Sequence, residues 1–194
     1  MLKKILIIVA IAGFLSCQSR RPGLVPPSGP HFRSLSIKFS FHDPEARQNG
    51  RVSWRFDDSS SKFLFFNALN QSGMELDVVA EEAVLVDHGK KAFWRGDFCE
   101  LLDRMWGIAL TLSDLKSLLA ENGTMPDGLA GKGIAVTMER AAGGGALETV
   151  RLRRGAADLS LRILKDELRP GKIVLIDYAG RYQPRDLEGV LEND

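Results

Sequence analysis

The chain has little of what metal, thiol or phosphate chemistry is built from. Its 194 residues include two cysteines and three histidines. No His, Cys, Asp and Glu cluster falls at metal-ligand spacing, so no metal site is expected. No Gly-x-Ser-x-Gly elbow and no phosphate loop occurs. Gly131-Lys-Gly133 and Gly143-Gly-Gly145 read as turns. Charge of one sign is lacking too: 26 basic residues face 25 acidic ones, which gives no electrostatic reason to expect nucleic acid. His31, His42 and His88 each fall in or beside a predicted loop and read as solvated. Cys99 opens a predicted helix, where a thiol can be acidified; the plainer reading is a small, partly buried residue. No enzyme activity and no cofactor is expected.

Long apolar runs are missing as well. The longest, Ile5 to Leu15, falls short of the roughly 20 residues a spanning helix needs. It follows Lys3 and Lys4 and has the length of a signal-peptide core. Phe14-Leu-Ser-Cys17 then resembles the lipobox of bacterial lipoproteins. The expectation is a signal peptide over residues 1–16 and a lipid-carrying Cys17. Acyl chains contribute about 0.8 kcal/mol per buried methylene, and two or more hold a protein stably on a membrane. Residues 18–30 contain four prolines and two glycines and read as a tether. Gln18, rather than Asp, follows the cysteine and leans the expectation towards the outer membrane, on its periplasmic face. With Cys17 lipidated, Cys99 has no cysteine to pair with.

Residues 31–194 are enough for one domain with one core. Most of that segment alternates with period two, the mark of half-buried antiparallel strands. Leu35, Ile37, Phe39 and Phe41 form one such set, and Val52, Trp54 and Phe56 the next. Asn49-Gly50 between them is a hairpin signal. Further strands are predicted over Phe63–Phe66, Met74–Val78, Ala83–Val86, Ile134–Met138, Leu147–Arg153, Leu159–Ile163 and Lys172–Tyr178. The middle changes period. Phe98, Leu101, Leu102 and Met105 are spaced as one stripe of a helix, capped by Asp97 and ended by Gly107. A second helix is predicted from Ser113 as N-cap, with Leu115, Leu118 and Leu119 inward.

Aromatic residues concentrate in the first strands. One sheet with two short helices either packs them tightly or curves around a lipid-sized hollow, and periodicity leaves both open. Candidates for lining such a hollow are Phe39, Trp54, Phe56, Phe65, Leu76, Leu85, Leu102 and Met105.

Residues 34–180 resemble the LolB family of outer-membrane lipoprotein receptors. The resemblance is carried by Asn49-Gly-Arg-Val-Ser-Trp-Arg55, Phe63-Leu-Phe-Phe-Asn-Ala-Leu-Asn70, Met74-Glu-Leu76, Val84-Leu-Val-Asp-His-Gly89, Phe98 to Met105, Gly107-Ile-Ala-Leu-Thr-Leu112 and Leu168 to Tyr178. Ala68 and Asn70 depart from the family's Pro and Gly around the loop leucine, and Leu110-Thr111 departs from its Pro-Leu. The resemblance implies a mainly β fold with two or more short helices: a curved antiparallel half-barrel with a helical lid, enclosing a hydrophobic cavity for acyl chains. It implies a monomer that accepts lipoproteins from a LolA-like periplasmic carrier and inserts them into the outer membrane. Leu69 matches the family's exposed loop residue that touches the bilayer. The competing expectation is an envelope scaffold lipoprotein of the same fold that binds a protein rather than acyl chains.

Overall fold

The structure is a computed structural model that describes residues 29–66, 72–119, 125–142 and 145–191. Cys17, the signal segment, residues 18–28 of the tether and Leu69 lie outside the described residues.

Period-two alternation becomes ten strands in one sheet. In chain order they are β1 (His31–His42), β2 (Arg47–Phe56), β3 (Ser60–Phe66), β4 (Ser72–Val79), β5 (Glu82–Asp87), β6 (Ala92–Asp97), β7 (Ala135–Arg140), β8 (Leu147–Arg154), β9 (Ala157–Pro170) and β10 (Gln183–Pro184). The spatial order is β10-β6-β5-β4-β3-β2-β1-β9-β8-β7. Two meanders, β1 to β6 and β7 to β9, are thus joined side by side through β1 and β9. All pairs are antiparallel except β10 with β6. The sheet is open and curved, and register shifts at Ser36/Ile37, Phe65/Phe66 and Glu139/Arg140 bend its strands.

Register puts the apolar residues on one face. Ile37 pairs with Val52, Leu35 with Trp54, Trp54 with Phe63, Phe63 with Leu76, and Leu76 with Leu85. Over this inner face lie α1 (Phe98–Trp106) and α2 (Leu112–Leu119), between β6 and β7 in sequence. The stripe on α1 buries Phe98, Leu101, Leu102 and Trp106; α2 buries Leu112, Leu115, Leu118 and Leu119. Asp97 caps α1 by accepting the Glu100 N–H, and Gly107 ends it in the left-handed region at φ 64°. A third helix, α3 (Leu187–Leu191), adds Leu187 and Val190 to the core. Among the described residues the core cluster runs from Leu35 to Leu191.

Several sequence expectations are corrected. Asn49-Gly50 is not the hairpin turn: β2 already begins at Arg47, and the turn is made by residues 43–46, where the Asp43 carboxylate accepts the Glu45 and Ala46 N–H groups. Gly50 pairs with Phe39, whose ring lies against the glycine; a Cβ there would sit 2.6 Å from the ring. The cap of α2 is Thr111, not Ser113. The Thr111 hydroxyl accepts the Asp114 N–H at 3.0 Å, and the Asp114 carboxylate accepts the Thr111 N–H at 3.0 Å, a reciprocal capping box. Strand β6 has weak alternation and escaped the pattern.

Residues 172–178 are not a strand. They cross the outer face of β3 to β6 as an extended strap. The Asp77 carboxylate accepts the Ile176 N–H, the Lys62 ammonium donates to the Val174 carbonyl at 3.1 Å, and Tyr178 lies on Phe93 with ring centres 4.7 Å apart. The apolar run Ile173-Val-Leu-Ile176 lies on a sheet face rather than in a ladder: Ile173 and Ile176 are half-buried, Val174 and Leu175 exposed. Val174 is 79% exposed. His88, expected to be solvated, instead bridges Tyr182 (2.8 Å) and Glu75 (3.2 Å) at the end of this strap.

Candidate functional site

The candidate site is the space between the inner face of the sheet and the segment Phe98–Leu119. A stack of four rings runs into it from the rim. Phe56 lies on Trp54 (4.2 Å between centres), Trp54 on Phe63 (5.2 Å), and Phe63 on Phe98 of the lid (5.8 Å). Phe56 is half-buried, with the Lys116 ammonium 5.7 Å and the Arg33 guanidinium 6.0 Å from its ring centre. On the opposite flank Phe39 meets Trp106 at 5.7 Å.

The free volume is small. The cavity measures about 30 Å³ and has an apolar lining. For scale, an engineered apolar cavity that binds benzene measures about 150 Å³. From the sheet it is lined by residues including Ile37, Trp54, Phe65 and Leu76, and from the lid by Phe98, Leu102, Trp106, Ile108, Leu110 and Leu115. The interior is greasy throughout, and the lid's own side chains fill it. The expected half-barrel and lid are present, but in this conformation they close on each other rather than around an open hollow. Trp54 and Trp106, both buried, carry indole N–H groups with no acceptor among the described residues.

Polar bonds fasten the lid at its margins. Glu81, in the tight β4–β5 turn at φ 69°, is the hub. Its backbone carbonyl accepts the Phe98 N–H at 2.9 Å, and its carboxylate accepts the Leu112 N–H at 2.9 and 3.1 Å. One residue therefore caps the first residues of both lid helices. Lys116 donates to the Asp57 carbonyl at 2.7 Å, Lys132 pairs with Asp114 at 3.1 Å, and Arg154 binds Asp103 and the Gly107 carbonyl. Burial pushes the Asp114 carboxyl up, but the Thr111 N–H and Lys132 outweigh it and hold it below the usual carboxylate range.

Comparison with known proteins decides the family. The family described as outer membrane lipoprotein LolB matches residues 32–130, just over half of the chain. The chain belongs to the LolB family. Among solved structures it is similar to a LolA superfamily protein from Nitrosomonas europaea, with a TM-score of 0.46 and 6% identity over 76% of this chain and 89% of that one. It is also similar to the lipoprotein LppX of Mycobacterium tuberculosis, with a TM-score of 0.37 and 14% identity over 74% of this chain and 89% of that one. No curated protein sequence gives a match. LolB-family proteins bind and transport; they are not enzymes. Among the described residues no helix is long and apolar enough to cross a membrane, and no cluster of three metal-ligating side chains occurs.

Within this LolB-family domain the lining candidates separate into two groups. Trp54, Phe65, Leu76 and Leu102 line the cavity. Leu85 is fully buried on the same face without reaching it, and Phe39, Phe56 and Met105 pack against the core from partly buried positions. Pattern reading missed Trp106, Ile108 and Leu110. Trp106 sits eight residues after Phe98, on the same helical stripe as Leu102, and that period was the available signal. Ile108 and Leu110 lie in the link between α1 and α2, where no period applies. Cys99 is partly buried; burial raises its thiol above the ordinary range, and the neighbouring carboxylates of Asp97, Asp103 and Asp114 add to this against Lys132. That environment opposes a reactive thiolate.

Proposed function

We propose that this LolB-family protein is a lipid-anchored receptor that takes lipoproteins from a LolA-like periplasmic carrier and delivers them to the outer membrane. The observation that carries the reading is the apolar interior beneath a lid fastened at its margins. In the closed state the side chains of Phe98, Leu102, Trp106 and Leu115 occupy the groove. An acyl chain is chemically equivalent to them, so lid and cargo are alternative occupants of one groove. Burial at about 25 cal/mol per Å² acts on either occupant, which leaves only the marginal polar bonds to separate the two states. The carbonyl at the head of an acyl chain also supplies an acceptor of the kind that the buried indole N–H groups of Trp54 and Trp106 lack. The anchor is the acylated Cys17, and residues 18–30 are its tether. Leu69 is the residue proposed to enter the bilayer during release.

A domain of residues 18–194 retains every core residue found among the described residues. Mixed with a carrier loaded with a fluorescent triacylated lipopeptide, it should take up the lipopeptide, seen as a mass increment in native mass spectrometry and as a change in Trp54 and Trp106 fluorescence. No uptake by either readout rejects the transport reading. Leu69→Glu should slow release into vesicles while uptake is unchanged.

The nearly filled interior favours one second reading, an envelope scaffold that binds a protein partner and never opens. The same uptake assay separates the two.

A further inference from the structure

The outer face of β2, β1 and β9 carries a row of like charge that folding does not call for. Arg51 of β2 is the register partner of Lys38 of β1, and Lys38 is the register partner of Arg162 of β9. Like charges directly opposite in an antiparallel pair are destabilising. All three side chains are exposed, and only Arg162 has a carboxylate, Glu148 at 3.2 Å, among the described residues.

The charge extends to both sides of that row. On one side Arg55 of β2 adds a further cation; its register partner Lys62 is engaged by Glu75 at 2.9 Å and by the strap and is not part of the face. Arg51, Ser53, Arg55, Ser36, Lys165 and Arg169 border a shallow groove of about 230 Å³ on this face. The acids of the face are outnumbered: Glu167 serves both Lys165 and Arg169, and Asp158 serves both Arg151 and Arg153. Ser34, Ser36, Ser40 and Ser160 supply small hydroxyl-bearing positions between the cations on β1 and β9.

We infer that the outer face of β2, β1 and β9 is a docking surface for the anionic phosphates of a bilayer, engaging lipid headgroups as a group rather than one soluble ligand. Complementary charge selects the partner: a face of outnumbered acids and unpaired cations matches a surface of phosphodiesters, and hydroxyls between the cations donate to phosphate oxygens. The inference rests on the reading that the protein works at a membrane, but not on cargo transfer. The face lies on the side of the sheet opposite the lid, so a domain docked this way keeps α1 and α2 directed away from the bilayer and open to a carrier.

The test is flotation of residues 18–194, without the lipid anchor, with phosphatidylcholine vesicles that contain or lack phosphatidylglycerol. Binding should require phosphatidylglycerol and should fall steeply with salt. The triple variant Lys38→Ser, Arg51→Ser, Arg162→Ser should bind on the order of a hundredfold more weakly, at about fivefold per cation. Its melting temperature should equal or exceed that of the parent, because the like-charge row is gone, so weak binding cannot be laid to unfolding. Lipopeptide uptake from the carrier in solution should be unchanged, which keeps this test separate from that of the transport reading. Equal binding to both vesicles, equal binding by the variant, or displacement from vesicles by inorganic phosphate at matched ionic strength would each overturn the docking surface.

Discussion

The Glu81 carboxylate accepts the Leu112 N–H at 2.9 Å, so the β4–β5 turn holds the start of the second lid helix. A carboxylate at a helix N-terminus satisfies an orphan donor and favours the helix dipole. Glu81→Ala should cost about 1 kcal/mol, as helix-cap removal does. In a domain of this size that lowers the melting temperature by about 2–4 °C. Amide exchange at Leu112 should accelerate, and lipopeptide uptake should become faster because the lid opens more readily. Glu81→Gln, which keeps an acceptor oxygen, should lie between. Unchanged exchange at Leu112 in the alanine variant would remove Glu81 from this role.

The second prediction concerns Gly50. Its missing side chain leaves room for the Phe39 ring, which in turn contacts Trp106. Gly50→Ala forces the ring off its position, and overpacking of this kind costs about 1–3 kcal/mol. Adding Phe39→Leu should recover much of that loss, since the two sites share one contact. Additive losses in urea melts would show that ring and glycine do not interact.

A third prediction uses the strap on the outer face. Burial pushes the Asp77 carboxyl above its ordinary value, against the Ile176 N–H and Lys62, which act to lower it. Burial also acts upward on Glu75, but Lys62 and His88 outweigh it and hold that carboxyl down. The signs are opposite. Asp77 takes up a proton more readily folded than unfolded, so its contribution to stability rises as pH falls through its raised value. The Glu75 contribution is present above the ordinary carboxylate pKa and is lost as pH falls through its depressed value. Asp77→Asn keeps an acceptor for Ile176 and removes the charge. The variant should gain stability relative to the parent near neutrality, and the gap should narrow as pH falls towards about 4, the ordinary aspartate value. A gap that does not change with pH, measured by thermal melts, contradicts this assignment.

Cys99 gives a fourth. With its thiol raised by burial and by three nearby carboxylates, it should react with iodoacetamide at pH 7 more slowly than a free thiol does. Cys99→Ser should leave lipopeptide uptake intact. Rapid alkylation that blocks uptake would instead assign the thiol a role.

The fold was legible in the sequence where one physical constraint dominates. Ile37, Val52 and Trp54 alternate because one face of their strands is buried, and Phe98, Leu101, Leu102 and Met105 keep helical spacing because α1 is buried on one side. Reading failed where two constraints compete. Gly50 carries a turn signal through Asn49-Gly50, yet tertiary contact with Phe39 uses the glycine inside a strand. Residues 173–176 are an unbroken apolar run of strand-forming residues, yet they lie across the outer face of the sheet, and the edge of β6 is occupied by Gln183 and Pro184. For the site, Trp54, Phe65, Leu76 and Leu102 could be named from period alone. Whether the space between them is vacant could not, because that depends on how deeply Trp106, Ile108 and Leu110 descend from the lid.

The seam between the two meanders has a kinetic consequence. Arg33 and Asp166, bonded across β1 and β9, stand 133 residues apart in the chain. Neighbouring hairpins from β1 to β6 close short loops and can form as the polypeptide emerges, whereas this pairing waits for nearly the full length to be available. Until then β1 presents a bare edge, with Ile37 and Phe39 uncovered on one flank. A polypeptide that has not yet supplied β9 therefore leaves one edge of β1 unpaired, and the arrival of β9 closes it.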